Sequence, residues 1–548
     1  MGLKRETSNS EPVASLGERE LDVLIIGAGF SGIYLLHKLR DLGYNVKIVE
    51  SGTGLGGTWF WNCYPGARVD SPVPIYEYSI QKCWEDWTWK EKYPGWQELR
   101  DYFAHVDKKL DISRDVIFNT RVDGCDFDKK SHKWTVSTQG GPTFASKYLL
   151  VCCGFSAKRY IPNWKGIDLF KGTIHHSSFW PDTGVDVKGK RVAVIGTGST
   201  GIQIAQELAP EAKETFIFQR TPNLCLPMRQ ENLTVEQQDK AKQGYPSIFK
   251  ARMTTFAGFE FDWIPTNTFD VSSEEREKIY EELWQKGGFE FWVANFKDLL
   301  FDTAANRLAY DFWAKKTRAR ITNPTKRDLL APLEPPHPFG TKRPSLEQNF
   351  YEICDQDNVH IVNTEASPIA EITETGILTV DGKHYEVDVI ALATGFDALT
   401  GGLKSMGLRD TSGVDLAERW ADGVTTYLGL TVHDYPNMFF TYTVQGPTAF
   451  CNGPSCVETQ ADLILDTIQR LDREGKKCIN ATPAAAQEWS ADIQKISEIS
   501  LFPLTKSWYM GANIPGKKRE LLNYPKGLPT YDRECKEALQ DYTGFVVG

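Results

Sequence analysis

Short all-apolar runs that stop at glycine alternate along this chain with longer stretches whose apolar positions recur every three or four residues. Residues 22–26 (D-V-L-I-I) are too few for a helix and read as a buried strand. Ile33, Leu35, Leu36 and Leu39 then carry helical spacing, and residues 45–49 predict a second strand ending at Glu50. The same order returns later. Residues 148–153 form an apolar strand, and 191–195 lead through glycines into a helix over 202–208 and a strand over 215–218. Such alternation predicts an α/β fold with two Rossmann-like dinucleotide-binding domains.

Residues 226–333 do not continue it. There Ser272 and Glu275 have the spacing of a capping box opening a helix through Trp284, and residues 301–321 predict another helix through Leu308, Tyr310, Phe312 and Trp313. A strand over 386–393 follows. The expected division is a tail (1–20), a first nucleotide domain (21–150 and 391–548), a second (151–225 and 334–390) and a helical insertion (226–333).

Length and composition narrow the class. A chain of 548 residues exceeds one core and calls for several domains. The net charge of −10 argues against a nucleic-acid partner. No apolar run reaches the roughly 20 residues of a membrane span, and residues 1–20 lack the apolar core of a secretory signal. Eleven cysteines without C-x-x-C pairs suggest neither a disulfide framework nor a zinc site. The C-terminal Val546-Val547-Gly548 is not a peroxisomal address. A cytosolic, monomeric enzyme is expected. Trp84, Trp87, Trp89 and Trp96 read as an aromatic core cluster.

Chemistry enters at the glycines. Gly27-Ala28-Gly29-Phe30-Ser31-Gly32 lies between strand and helix, where the first glycine turns the chain, the second admits a pyrophosphate and the third lets helix pack on strand. Glu50 suits a ribose 2′-hydroxyl and repels a 2′-phosphate, so this site wants FAD or NAD. Gly57, Thr58 and Trp59 follow in a small-residue stretch that would let backbone approach a flat cofactor. The second fingerprint is Gly196-Thr197-Gly198-Ser199-Thr200-Gly201. Its next strand ends at Arg220-Thr221, where an NAD site would show an acid; a guanidinium matches a 2′-phosphate, hence NADPH.

The connector between the fingerprints carries a family resemblance. Phe170, Gly172, His176, Trp180 and Pro181 match the F-x-G-x-x-x-H-x-x-x-W-P pattern of the Baeyer–Villiger monooxygenases. Residues 61–70 (W-N-C-Y-P-G-A-R-V-D) resemble a second segment of that family, with Cys63 in place of its usual Arg and Val69 in place of its Cys. Residues 394–397 (T-G-F-D) resemble the return crossover of flavoprotein monooxygenases, and 507–517 (S-W-Y-M-G-A-N-I-P-G-K) a later stretch of the same family. The resemblance implies FAD near Glu50, Trp59, Asp70, Tyr76 and Val122. It implies NADPH with Lys342 on its 2′-phosphate and Trp508 donating to the nucleotide, under a roof formed by the insertion.

It also implies a reaction. NADPH reduces FAD, O₂ adds to give a flavin C4a-peroxide, and the peroxide converts a ketone to an ester or lactone. Arg343 is expected to stabilise the anion without offering an acidic proton, with Asp70 orienting it. His176 is expected to serve the connector. N- or S-oxidising flavin monooxygenases would share both glycine turns, but Trp180-Pro181 and Lys342-Arg343 speak against them. A dithiol reductase would need a cysteine pair where only Cys63 stands, and a non-catalytic NAD(P)-sensing flavoprotein would need no Arg343.

Overall fold

The computed structural model describes residues 19–548. Two parallel sheets organise it. In the first, Val116–Ile117, Val46–Val49, Arg19–Ile26 and Phe144–Val151 run parallel in that order, joined by Met438–Phe440 beside the last. An antiparallel pair, Lys133–Thr138 and Val122–Asp128, extends the same sheet. Val23, Leu24 and Ile25 are fully buried, as expected of a central parallel strand covered on both faces. The strand begins at Arg19, so the expected boundary of the tail at residue 20 falls inside it; residues 1–18 lie outside the described residues.

In the second sheet, Val359–Asn363, Glu214–Gln219, Arg191–Ile195, Val389–Leu392 and Thr173–His176 are all parallel. The single strand expected over 386–393 is in fact two. His384–Glu386 pairs antiparallel in a separate three-stranded sheet, while Val389–Leu392 sits between Arg191–Ile195 and the connector strand. Asp388 makes the corner, its carboxylate accepting from the Arg191 backbone N–H at 2.8 Å. The expected domain boundary at 391 therefore cuts a strand of the second sheet, and the chain leaves that sheet only after Leu392.

The insertion is helical. Ser273–Lys286 and Thr303–Arg318 occupy the expected stretches. Ser272 accepts from the Glu275 N–H, which is half of the expected box; the reciprocal pair closes instead at Thr234 and Gln237. No helix of the described residues is long and apolar enough to cross a membrane. Of the aromatic cluster, Trp87 and Trp89 pack on Tyr102, whereas Trp84 joins Tyr245 and Phe249 of the insertion.

Candidate active site at the junction of two nucleotide turns

Both glycine turns have the geometry that phosphate binding requires. Gly27 has φ +104°, and a Cβ on Gly32 would lie 1.9 Å from the Gly27 carbonyl oxygen, so neither position tolerates a side chain. Helix Phe30–Asp41 starts at Gly29 without a side-chain cap or an acidic first turn, leaving its N–H groups and positive dipole end free for an anion. A Cβ on Gly57 would stand 3.0 Å from the Gly29 Cα, so two bare backbones face each other there. Ser31 is buried in this turn. Thr58 and Trp59 open the short helix Thr58–Trp61, and the Trp59 indole donates to the Tyr76 hydroxyl at 3.1 Å. The buried Glu50 carboxylate accepts from the Ala28 and Gly52 N–H groups at 2.8 and 2.6 Å. The turn Asn119–Thr120, bonded to Gly52 and Glu50, places Val122 just beyond this corner.

The second turn repeats the design. Gly196 has φ +108°, a Cβ on Gly201 would meet the Gly196 carbonyl at 2.0 Å, and a Cβ on Gly198 would find open space. Helix Ser199–Leu208 again starts uncapped. Residues 342–345 are stitched to this turn. Ser199 bonds the Ser345 hydroxyl at 2.9 Å, and Asn223 donates to both the Thr197 carbonyl and the Ser345 hydroxyl. Thr197 donates to the Thr221 carbonyl, and Thr200 to the Tyr64 hydroxyl. Lys342 thereby comes close to Arg220. Burial, and then the Arg220 charge, pull the Lys342 ammonium down to about 8. Among the described residues neither cation has a carboxylate within ion-pair distance.

Arg343, the next residue, points elsewhere. Its Nε and Nη2 donate to the two Asp70 oxygens at 2.8 and 2.9 Å, and Nη1 donates to the Ala449 carbonyl at 2.9 Å. Burial opposes its charge, but the Asp70 carboxylate outweighs that and lifts its pKa further above the ordinary value. Phe289 and Trp292 of the insertion lie against the guanidinium at 4.7 and 5.8 Å, close enough for cation–π attraction. Neither aromatic was singled out in the sequence, because their spacing matches an ordinary core helix. Phe450 packs on Phe502 and Tyr509, and beyond it Phe256, Trp263 and Leu300 line an apolar cavity of about 140 Å³. Trp508 is half-buried and stacks on Phe155 at 5.6 Å. The stretch around it is anchored to the crossover by Asn513 on the Phe396 carbonyl and Lys517 on Asp397.

The connector is a clamp. A Cβ on Gly172 would meet the Asp388 carbonyl at 2.4 Å, and Phe170 packs against the core of the second sheet. Trp180 is 1% exposed, and its carbonyl accepts from the Cys63 thiol. Pro181 accepts from the Gly184 N–H. His176 is fully engaged, with Nε2 on the Gly395 carbonyl at 3.1 Å and Nδ1 on Ser178 at 2.9 Å. Burial holds its pKa down to about 4. Unfolded, it would titrate near 6.5 and so bind more protons below that pH. Its contribution to stability should therefore be intact above pH 6.5 and fall away towards pH 4. Thermal melts should show a smaller acid-side loss in His176→Gln than in the parent over that window; equal slopes would refute the assignment.

The segment 61–70 bridges the two halves. Tyr64 donates to Gln203 at 2.8 Å, Gln203 donates to the Arg68 carbonyl at 3.2 Å, and a Cβ on Gly66 would collide with the Gln203 backbone. Helix Ser199–Leu208 of the second turn thus carries the segment that ends at Asp70.

Comparison with known proteins agrees with this arrangement. The flavin-binding monooxygenase-like family matches residues 20–254. Cyclopentanone 1,2-monooxygenase of a Comamonas species is 48% identical over 96% of this chain and 96% of its own. A Baeyer–Villiger monooxygenase of Pseudooceanicola batsensis is 37% identical over 99% of this chain and 98% of its own. A crystal structure of OTEMO in complex with FAD and NADP superposes with a TM-score of 0.92, at 36% identity, covering 96% of this chain and 99% of that one. With two uncapped glycine turns converging on one paired arginine, and relatives that span the whole length, the chain belongs to the Baeyer–Villiger monooxygenases.

Proposed function

We propose that the protein converts ketones to esters or lactones with NADPH and O₂, holding FAD at the turn of residues 27–32 and NADPH at that of 196–201. The observation that carries this reading is the Arg343–Asp70 pair, bonded to the carbonyl of Ala449, whose neighbour Phe450 lines the apolar cavity, and joined by one peptide bond to the cation pair of the second turn. The residues fit both cofactors. Two glycine cradles that a Cβ would fill suit two pyrophosphates, Glu50 suits an unphosphorylated ribose, and the uncompensated Arg220 and Lys342 suit a 2′-phosphate.

Bound FAD, once reduced, supplies the activation of O₂. Arg343 presents a charge that cannot be lost as a proton, which steadies an anion beside it. Asp70 fixes the guanidinium plane and tempers its charge. Phe289 and Trp292 cover one side of the guanidinium, while the cavity beyond Phe450 receives the ketone. Trp508, stacked on Phe155, is the residue whose indole would donate to the nucleotide in this reading. Residues 21–150 and 393–548 would form the FAD domain and 151–225 with 334–392 the NADPH domain, roofed by 226–333. Free cysteines throughout suit a reducing compartment, and we place the reaction in the cytosol.

A panel of cyclic, linear and aryl ketones, with an amine and a sulfide as controls, tests the reading. Ester or lactone should form in proportion to the NADPH consumed. Oxidation of the amine or sulfide alone would point to a heteroatom-oxidising enzyme, and NADPH use without any oxygenated product would overturn the proposal.

A further inference from the structure

Arg252 is the most deeply buried cation described, with none of its side chain exposed, and nothing in the chemistry above uses it. It lies in the insertion, at the turn Arg252–Thr254. Its Nη1 donates to the Ile75 and Glu77 carbonyls at 2.8 and 3.1 Å, and its Nη2 to the Glu458 carboxylate at 2.7 Å. Phe249 covers the guanidinium at 4.7 Å. The other oxygen of Glu458 accepts from the Ser79 N–H at 2.8 Å. A charge buried this far costs several kcal/mol unless it is paired; here both Nη atoms are matched while the buried Nε has no partner, so the fork's hold rests on its two outer nitrogens.

What the fork holds gives it a role. The segment it grips by two carbonyls begins five residues earlier at Asp70, and it includes Tyr76, which accepts from Trp59. The helix that carries Glu458, Gly453–Arg473, starts four residues after Ala449. Asp70 and Ala449 are the two groups to which Arg343 donates. We infer that Arg252 is a positioning residue: through Ile75, Glu77 and Glu458 it ties the insertion to both partners of Arg343 and fixes their spacing. The inference rests on the proposed role of Arg343, but its first readout does not.

Removing one charge alone would strand the other, so the informative variant removes both, Arg252→Met with Glu458→Gln, which leaves no buried ion behind. In the apoprotein, hydrogen exchange at the Tyr76 and Tyr78 amides should quicken at least tenfold, with helix Ser199–Leu208 unchanged. In the holoenzyme, flavin reduction by NADPH should stay within twofold, while ester formed per NADPH falls at least fivefold and hydrogen peroxide rises in its place. Unchanged exchange and an unchanged ester-to-peroxide ratio in the folded variant would overturn the inference. If that variant does not fold, Arg252→Lys decides: an ammonium keeps the charge but lacks the planar fork whose two nitrogens reach the carbonyls and the carboxylate separately, and a parental ratio in it would equally refute the role. Failure of the parent to form any ester would strike the functional reading, not the exchange result.

Discussion

Arg343→Ala should reduce its flavin with NADPH yet form no ester from any ketone. Hydride transfer depends on how two cofactors are placed, and the glycine turns, Glu50 and the Arg220–Lys342 pair that place them are untouched by this change. Oxygenation depends on a fixed positive charge in a site from which water is excluded, where preorganised electrostatics carries most of the work. Losing one such group costs about 10²–10³-fold in comparable sites, and here the whole guanidinium goes, so ester yield should drop by at least ~10³. Asp70, 30% exposed, can be solvated once unpaired, so the variant should fold. Asp70→Ala should cut yield less, since Arg343 keeps its charge and its bond to the Ala449 carbonyl. Anaerobic stopped-flow reduction, followed by product analysis after mixing with O₂, separates the two steps. Ester formation at more than a tenth of the parental yield in Arg343→Ala would end its assignment.

The second large effect concerns nucleotide choice. Arg220→Ala with Lys342→Ala should weaken NADPH binding while leaving NADH almost unaffected. Two charge-assisted contacts at ~1.5–3 kcal/mol each correspond to roughly 10–100-fold per residue. Because free Lys342 loses its proton near pH 8, the affinity of the parent for NADPH should also decline as pH rises above 8. That decline should vanish in Lys342→Ala. Titration of the oxidised enzyme with NADP⁺ and NAD⁺ across pH 7–9.5 tests both statements, and equal losses with the two nucleotides would refute them.

Much of this site was legible because backbone function leaves a mark in sequence. Where a carbonyl must come within 1.9–2.5 Å of a missing Cβ, only glycine will do, so Gly27, Gly32, Gly196 and Gly201 announce themselves. The connector was equally legible through Gly172 and Trp180. Other parts were silent for physical reasons. Phe289 precedes and Trp292 lies on a short helical turn, Glu290–Val293, where an aromatic facing a guanidinium reads like one facing a leucine. Asn223 and Ser345 are ordinary polar residues 122 positions apart until the fold joins them. The strand break at Val387–Asp388 was invisible because Val387 and the apolar run from Val389 read as one continuous strand; only the demand of Arg191 for a carboxylate partner places a corner there.

The adjacency of Lys342 and Arg343 has a practical consequence for redesign. In the proposed function one residue grips the nucleotide tail and its neighbour serves the reacting centre, so the two duties share a peptide unit. A substitution that shifts the backbone at position 342 would also shift the adjacent guanidinium against its carboxylate. Arg220 stands exposed just past the end of strand Glu214–Gln219, outside that peptide unit. An engineer seeking an NADH-driven version should start at position 220 and leave 342 alone.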